Sequence, residues 1–283
     1  MHVLVHGGAG SPPDQPTQRR ETLGVAAERA REAATPVEAV RAAVRPLERA
    51  PSFNAGVGGA VQSDGVVRTD AGLMTADGTA GAACSMPGVA HAVDVAHAVA
   101  TETPHLLVAG QQAVDLAAVC GIDTDETLLT DETRRRWNGA DPPETFDDAH
   151  LQWVRDRFGG HDTVGAVATD GDRLATATST AGRWFALAGR VGDVPQLGAG
   201  FYADERGGAS ATGEGEAIAR FGLARRTVEL LDTYGPRQAA SEAIEAFAAE
   251  TDGRAGVIVM DRAGHAGSEF NTQAMQTARA GPE

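Results

Sequence analysis

The sequence predicts an α+β protein in which helices pack in layers on antiparallel sheets. Predicted strands cluster at the start of the chain, after residue 58, after residue 163 and near the end, and predicted helices lie in pairs between them. This order differs from the regular strand–helix alternation that indicates a parallel sheet. The length of 283 residues allows one large domain or two small ones, with a substantial buried core.

The first 119 residues contain several periodic segments. Residues 2–6 form an apolar run that ends at the glycines of HGGAG, which predicts a buried strand and a tight turn. Helical spacing over 16–34, and a capping box with proline at Thr35-Pro36-Val37-Glu38, predict a first helix and a second from 36 to about 49. The remaining predictions here are a hairpin over 58–74 that turns at Asp64-Gly65, a strand over 80–86, and mostly helix over 91–119.

The second half begins with a polar segment and continues with pairs of strands and helices. Residues 121–160 are acidic and interrupted by Gly139 and a proline pair, so we expect at most two short helices in a variable, mobile linker. The rest of the chain predicts a hairpin that turns at Asp170-Gly171, helices over 215–234 and 236–250, and a closing hairpin over 255–261 and 265–271.

Composition disfavours several classes of partner. The chain has 24 Lys+Arg against 39 Asp+Glu, a net charge of −15, and every basic side chain is Arg. Nucleic acids and anionic membranes bind cationic surfaces, so we expect neither as a partner. No apolar run approaches the roughly 18–20 residues that span a bilayer, and MHVLVHGG lacks the pattern of a signal peptide, so we expect a cytoplasmic protein.

Several enzyme signatures are missing from the sequence. There is no P-loop lysine, no G-x-S-x-G elbow, no CxxC or HExxH pair, and no glycine-rich turn with dinucleotide spacing. Cys84 and Cys120 lie in Ala-rich stretches, which predicts two small buried side chains instead of a disulfide or a zinc site. We therefore expect chemistry that needs no cofactor.

A threonine stands at the head of the predicted strand TVGAVATD. The Thr163 hydroxyl is a poor nucleophile unless a base lies beside it. Its own α-amine, with a pKa of about 7.7–8.0, would serve, but only if the Asp162–Thr163 peptide bond is cut. The acidic, turn-rich segment before Asp162 would tolerate such a cut. The ordinary alternative is a threonine that merely begins a strand.

The motifs around Thr163 decide between these two interpretations. They are HDTVGAVATD, LATATSTAG, GRVGDVPQLGAGFYAD and ATGEGE, together with HGGAG, SFNAGVGGAVQSDG, DAGLM and FNTQAM elsewhere in the chain. The set resembles the plant-type asparaginase / isoaspartyl peptidase family, which includes glycosylasparaginase, over most of the chain except 121–158. The resemblance implies a single N-terminal nucleophile hydrolase domain with a four-layer αββα sandwich. It also implies self-cleavage into an α subunit, 1–162, and a β subunit, 163–283, with 121–160 as the activation linker.

The resemblance assigns roles around the cleavage point. Thr163 matches the nucleophile, freed by cleavage after Asp162, and Thr180 matches a second threonine whose hydroxyl tunes it. Asn54 matches an amide that supports the nucleophile. The loop whose conformation permits self-cleavage contains Gly7 and Gly8.

The resemblance also implies a substrate site. Thr212 and Gly213 match an oxyanion hole, in which each donor is worth about 3–4 kcal/mol. Arg190 and Asp193 match a clamp on the α-carboxylate and α-amine of the substrate, because a guanidinium fork suits a carboxylate and a carboxylate suits an ammonium. The complete implied set is Arg190, Val191, Gly192, Asp193, Thr212, Gly213, Glu214 and Gly215.

Two departures from the family pattern lie near this site. Many members have Asn-Lys where this chain has Phe185-Ala186, and His where it has Glu214. Glu214 adjoins the implied oxyanion hole, so an ionised carboxylate there would influence substrate choice or activity. Neither departure removes an implied catalytic group.

The resemblance finally implies a sodium ion and a dimer. Backbone carbonyls, which are suitable hard ligands, would hold the ion; the matching positions are Leu47, Glu48, Ala50, Phe53, Ala55 and Val57. The oligomer would be a homodimer of cleaved protomers.

The expected substrates are small molecules, namely L-asparagine and β-aspartyl dipeptides. Two alternatives stay open: a glycosylasparaginase-like hydrolase of sugar–asparagine linkages, which HDT favours slightly, and a small-molecule-binding homologue that never matures.

The acidic, Lys-free composition predicts a salt response, because it resembles that of proteins from salt-loaded cytoplasms. Repulsion between surface carboxylates is screened over about 10 Å at 0.1 M salt and about 3 Å at 1 M. We expect the melting temperature to rise between low and molar KCl, with activity following it. A flat melting temperature over that range would mean that the acidic surface has no energetic role.

Overall fold

A computed structural model describes residues 1–160 and 162–282 as a mixed α/β structure; His161 of the HDT motif lies outside the described residues. In this part of the chain no helix has the length and apolar character needed to cross a bilayer. The strands are β1 His2–Gly10, β2 Arg68–Thr75, β3 Ala80–Pro87, β4 Leu107–Ala109, β5 Val164–Thr169, β6 Leu174–Thr180, β7 Phe201–Asp204, β8 Gly207–Gly213, β9 Ala255–Asp261, β10 Ala266–Phe270 and β11 Ala274–Ala280. The helices are α1 Pro16–Ala30, α2 Pro36–Arg49, α3 Ala92–Glu102, α4 Gln111–Val119, α5 Asp131–Asn138, α6 Asp148–Arg157, α7 Gly215–Phe221, α8 Leu223–Glu229 and α9 Pro236–Glu250.

The strands form two sheets. The larger has the order β11-β1-β5-β6-β2-β3-β4, and the smaller has the order β10-β9-β8-β7. Neighbouring strands are antiparallel except for β3 and β4. Strand β5, which Thr163 precedes directly, lies inside the larger sheet between β1 and β6. Thr163, the nucleophile that the sequence predicts, therefore lies at the start of a strand that is paired on both sides.

Alternation along the strands divides the core into separate apolar layers. In β1, Val3 packs with the helices of the first half of the chain, whereas Leu4 packs with residues of the smaller sheet. In β9, Val257 packs with α8 and α9, whereas Ile258 points to the larger sheet. Successive side chains of a strand point to opposite faces, so each sheet is buried on both of its faces. This explains why the strands are apolar runs instead of alternating apolar and polar residues.

Most of the predicted helices are present, with differences at their ends. The helix from 36 to 49 forms as predicted, and the Thr35 hydroxyl accepts a hydrogen bond from the Glu38 backbone N–H. The segment 91–119 is mostly helical as predicted, and it consists of α3, a short strand β4, and α4. The helix expected over 215–234 is broken at Gly222, whose φ of 74° is left-handed and ends α7.

Other sequence predictions were incomplete or wrong. The sequence does not predict β8, which is rich in glycine and alanine, or β7, which has only four residues. It also does not predict β11, which pairs with β1 at the edge of the larger sheet. The hairpin over 58–74 contains only one bridge, between Val61 and Val67, before β2 begins. Cys84 is buried as expected, but Cys120 is exposed at the end of α4.

The polar segment 121–160 contains two short helices, α5 and α6, in line with the sequence. It packs on the rest of the chain through an aromatic cluster of Trp137, Trp153, Trp184 and Phe185. Ring centroids are 6.0 Å apart for Trp137–Trp153, 5.2 Å for Trp153–Phe185 and 5.7 Å for Trp184–Phe185. Phe185 has a φ of 58°, a costly conformation for a residue with a side chain, and this packing offsets the cost. The mobility of the segment, and its role as an activation linker, stay predictions.

Strand β2 carries a buried acid where its register shifts against β3. Asp70 lies opposite Thr180 of the neighbouring strand β6, and its Oδ1 accepts a 2.7 Å hydrogen bond from the Ser85 backbone N–H. Only 3% of Asp70 is exposed. Burial raises the pKa of this carboxyl to about 7, although the Arg190 cation acts in the opposite direction. Between pH 3.8 and about 7, this carboxyl is therefore ionised in the unfolded chain and protonated in the folded protein.

Replacing Asp70 therefore predicts a pH-dependent gain in stability. The unfolded carboxyl ionises near pH 3.8 and the folded one near 7, so wild-type stability falls between these values, by about 4 kcal/mol in total. Asp70→Asn removes this loss and should become progressively more stable relative to wild type from pH 5 to 8, as measured by urea unfolding. Asp77→Asn is the control, because hydrogen bonding from Thr75 lowers the pKa of that carboxyl; its offset should stay flat. An equally flat offset for Asp70→Asn would contradict the prediction.

Candidate active site

The carbonyl oxygen of the Asp162–Thr163 peptide bond accepts hydrogen bonds from two side chains. The Thr180 hydroxyl donates to the Asp162 carbonyl oxygen over 3.0 Å, and Asn54 Nδ2 donates over 3.1 Å. Thr163 itself is buried, with 4% of its surface exposed. Two donors on one carbonyl oxygen polarise it and stabilise negative charge that develops there.

Neighbouring backbone groups fix the direction of both donors. Asn54 also donates to the Gly182 carbonyl over 2.6 Å, and its Oδ1 accepts from the Ala60 N–H over 2.7 Å. The Thr180 oxygen accepts from the Gly182 N–H over 3.0 Å. Asn54 comes from the loop after α2, whereas Thr180 ends β6, so the fold brings together groups that are far apart in the chain.

The Asp162 carboxylate is paired with Arg19, a residue of α1 that sequence reasoning missed. Arg19 Nη2 lies 3.0 Å from Asp162 Oδ2, and the same guanidinium donates to the carbonyls of Gly7 and Ser52 and lies over the Phe53 ring. Although 23% of the Asp162 side chain is exposed, desolvation raises the pKa of its carboxyl to about 6 against the opposing effect of Arg19. This acid can take up or release a proton near neutral pH.

The glycines of HGGAG bring β1 against this carboxylate. Gly8 has a φ of 102°, and a methyl group at its Cα would overlap the Asp162 carboxyl oxygen. A side chain at this position would therefore push β1 away from Asp162, which explains the second glycine of the motif.

A neutral histidine holds Gly8 in place. His6 Nδ1 accepts from the Gly8 N–H over 3.3 Å, which leaves Nε2 to donate to the Ser210 hydroxyl over 2.8 Å. Ser210 lies 2.6 Å from the Thr178 hydroxyl, which donates to the Gly200 carbonyl over 2.9 Å. Burial lowers the pKa of His6 to about 3, so the ring stays uncharged and the network links both sheets.

The implied oxyanion hole lies at the end of β8. The Thr212 oxygen accepts a hydrogen bond from the Ala9 N–H over 3.2 Å, which leaves the hydroxyl proton of Thr212 to donate elsewhere. Thr212 is fully buried, and Gly213 follows with a φ of 139°. The tight turn expected at HGGAG is not present, because residues 6–10 continue β1, with a register shift against β11 between His6 and Ala9. Because Ala9 follows Gly8, this part of β1 spans the distance from Asp162 to Thr212.

Arg190 and Asp193 lie together on either side of Gly215. A methyl group on Gly215 would lie 2.6 Å from Asp193 Oδ1 and 2.8 Å from Arg190 Nη2, so glycine keeps this space open. Asp193 Oδ2 and Arg190 Nη2 are buried and make no hydrogen bond to a described residue, whereas Arg190 Nε donates to Glu216 over 2.8 Å. Burial raises the pKa of Asp193 to about 6, against the effect of Arg190. Arg190 Nη2 also lies 2.8 Å from Glu216 Oε1 in an ion pair, so the guanidinium already has one charged partner, whereas Asp193 Oδ2 has no hydrogen-bond partner among the described residues. A guanidinium beside a buried carboxylate suits the carboxylate and ammonium of an amino acid.

The other predicted substrate residues are placed less specifically. Val191 is partly buried, and Gly192 lies against the Arg190 guanidinium. Glu214 caps α7 and lines a cavity of about 570 Å³ with Phe158 and Arg183. Glu214 thus adjoins the implied oxyanion hole in the chain and also lines this cavity.

The predicted sodium positions lie in the last turn of α2, which contains Leu47 and Glu48, and in the loop that follows it. The Val57 N–H donates to the Glu48 carbonyl over 2.8 Å, and the Phe53 N–H donates to the Ala50 carbonyl over 2.9 Å. Beneath the loop, the buried Glu48 carboxylate accepts from Ser179 Oγ over 2.6 Å. Each carbonyl oxygen has a second lone pair, so these bonds leave acceptors for a hard cation, and the donor set fits sodium.

Sequence reasoning missed the groups that act through long-range contacts. Arg19 has no local signal, and Glu216 pairs with both Arg183 and Arg190 from the first turn of α7. A signal did exist for Thr178 and Ser210, which are polar residues inside otherwise apolar strands, because such buried groups need hydrogen-bond partners.

Comparison with known proteins is consistent with this geometry. Residues 1–282 match the family described as asparaginase. A plant-type L-asparaginase of Pyrococcus furiosus is 36% identical over 299 residues, covering 98% of this chain and 95% of the relative. A plant-type L-asparaginase of Pyrobaculum calidifontis is 38% identical over 285 residues, covering 96% and 94%.

A vertebrate relative gives the same result. The isoaspartyl peptidase/L-asparaginase of Danio rerio is 36% identical over 293 residues, covering 98% of this chain and 91% of the relative. The matches extend over nearly the full length of both partners, and they confirm the resemblance that the motifs predicted. The chain belongs to the asparaginase family.

Proposed function

We propose that this protein is a self-activating threonine amidohydrolase with the four-layer αββα architecture of N-terminal nucleophile hydrolases. It would release ammonia from L-asparagine and cleave β-aspartyl dipeptides. The observation that carries this proposal is the pair of donors, Asn54 and Thr180, on the carbonyl next to the buried Thr163. The names of the relatives, plant-type L-asparaginase and isoaspartyl peptidase/L-asparaginase, support both reactions.

Activation would begin with attack of the Thr163 hydroxyl oxygen on the Asp162 carbonyl carbon. Asn54 and Thr180 would stabilise the oxyanion, since both already donate to that oxygen. The Asp162 carboxylate, with its pKa raised to about 6, would accept the hydroxyl proton and return it to the departing nitrogen of Thr163. Breaking the C–N bond gives an ester, which water hydrolyses to a free Asp162 carboxylate and a free Thr163 hydroxyl and amine.

The mature site would then act on an external amide. Arg190 would bind the substrate α-carboxylate in place of, or together with, its ion pair to Glu216, and Asp193 would bind the α-ammonium through Oδ2, in the space that Gly215 leaves open. The Thr163 amine would take the proton of its own hydroxyl as that oxygen attacks the side-chain carbonyl of the substrate. The Thr212 hydroxyl and the Gly213 N–H would stabilise the oxyanion. Ammonia or an amino acid leaves with the proton, and water hydrolyses the acyl-enzyme.

Three further features are part of the proposal. The loop over residues 47–57 would hold a structural sodium ion on its carbonyls, supported by its closure through Val57 and Glu48. This ion would stiffen the loop that carries Asn54 and would take no part in the chemistry. Two cleaved protomers would form a homodimer, and the cytoplasmic location stays a prediction from the sequence.

Self-cleavage is the first test. Purified protein should separate, without added protease, into fragments 1–162 and 163–283 by intact-mass analysis. Thr163→Ala removes the attacking oxygen and should stay uncleaved and inactive. Asn54→Ala and Thr180→Val each remove one donor to the Asp162 carbonyl, and they should slow cleavage by about 10²–10³-fold. A Thr163→Ala protein that still splits at this bond would exclude intramolecular attack, and a wild-type chain that never splits would favour the non-maturing binding protein.

The substrate clamp is tested by kinetics. Arg190→Ala removes a charged partner that would bind the α-carboxylate in both the ground state and the transition state. The KM for L-asparagine should rise at least about tenfold with little change in kcat. Arg225→Ala is the control, because that side chain pairs with Glu229 on an exposed face of α8. An unchanged KM in Arg190→Ala would remove Arg190 from the carboxylate site.

A further inference from the structure

Two cavities border Asp162, and neither is lined by Arg190 or Asp193. One, of about 300 Å³, is lined among others by Asn54, Asp162 and Trp184, and the other, of about 390 Å³, by Asp162 and Arg19. Arg136 and Gly160 line both cavities. The first lies at the lower end of the range of about 300–1,000 Å³ that is typical of small-molecule sites.

Arg136 is the cation that these cavities share. It lies on α5, and its guanidinium sits 3.9 Å from the centroid of the Trp184 ring. Within the described residues it makes no hydrogen bond or ion pair, whereas Arg19 in the same region is bound to Asp162 and to two carbonyls. Stacking on a ring fixes the plane of a guanidinium and leaves its N–H edges free, which is the geometry that binds a carboxylate in a fork.

We propose that Arg136, stacked on Trp184, binds the free carboxylate of the amino acid that leaves from a β-aspartyl dipeptide. The inference rests on the proposed function and names a leaving-group subsite within it. The clamp holds the aspartyl half of the substrate, and the leaving half must emerge from Thr163 on the side away from the clamp. That side is where the two cavities meet Asp162.

The possible leaving groups, ammonia, a sugar and an amino acid, differ in whether they carry a carboxylate. L-asparagine releases ammonia, which has no carboxylate and cannot use Arg136. A sugar leaving group carries no charge, so an unpaired guanidinium gives it no specific recognition. Glu132, one turn earlier on α5, also lines the smaller cavity and partly offsets the charge of Arg136. A leaving residue with one negative charge and an apolar side chain fits a wall made of an arginine and an indole.

The test compares three substrates: L-asparagine, β-aspartyl-leucine, and β-aspartyl-leucine amide, in which the terminal carboxylate is neutralised. For wild-type protein we expect a KM at least about tenfold lower for the dipeptide acid than for its amide. Arg136→Ala should raise the KM of the acid to that of the amide and leave the amide and L-asparagine unchanged. Arg136→Lys should recover part of the preference, since it keeps the charge but not the fork.

Two controls keep the result specific. Arg135→Ala changes the neighbouring exposed arginine of the same helix and should leave all three KM values unchanged. Intact mass and melting temperature show whether each variant is cleaved and folded, because Arg136 also borders the cleavage point. If Arg136→Ala fails to cleave, Arg136→Gln and the wild-type comparison of acid with amide carry the test.

Several outcomes would overturn the proposal. Equal KM values of acid and amide in wild type would show that no group recognises the carboxylate. An equal loss for L-asparagine and for the dipeptide in Arg136→Ala would mean that Arg136 holds the structure, or the new carboxylate of Asp162, instead of the substrate. Wild-type protein that hydrolyses L-asparagine alone would remove the subsite only, whereas protein that hydrolyses none of the three would overturn the proposed function as well.

Discussion

The hydrogen bonds that Asn54 and Thr180 donate to the Asp162 carbonyl are the constraint on which the site depends. These donors come from the loop after α2 and from the end of β6, and both must reach one oxygen at the start of β5. The central position of β5 and β6 in the larger sheet fixes two of these elements. The loop that carries Asn54 is fixed by the hydrogen bond from the Val57 N–H to the Glu48 carbonyl and by the bond that the buried Glu48 carboxylate accepts from Ser179.

A second property of the site is its concentration of buried acids. The carboxyls of Asp70, Asp162 and Asp193 all have pKa values raised by burial, and each lies within the influence of an arginine, Arg190 or Arg19. Desolvation alone would keep these acids protonated, and the arginines bring their titration close to neutral pH. The fold gives up stability to keep such groups inside, which is expected where acid–base chemistry requires them.

The sequence predicted the family and most helices, because short motifs record local geometry directly; the nucleophilic role of Thr163 stays a prediction. HGGAG, for example, requires a glycine where Gly8 meets Asp162. It could not predict the salt bridge of Arg19, because nothing near that residue marks a partner 143 positions away. Strands β7 and β8 were missed since small residues such as Gly207 and Ala209 pack closely against the other sheet without a strong apolar pattern. Cys120 was misplaced because an Ala-rich helix can end at the surface.

The aromatic cluster gives the molecule an intrinsic optical reporter. The chain has three tryptophans, and Trp137, Trp153 and Trp184 all lie in this one region. Two of them precede the Asp162–Thr163 bond and the third follows it, so their mutual contacts join the two proposed fragments. Indole emission therefore carries no signal from the remaining core. The wavelength and intensity of this emission depend on how far water reaches the three indoles. Tryptophan fluorescence would therefore follow, without a label, the packing of the segment 121–160 on the strands that follow it.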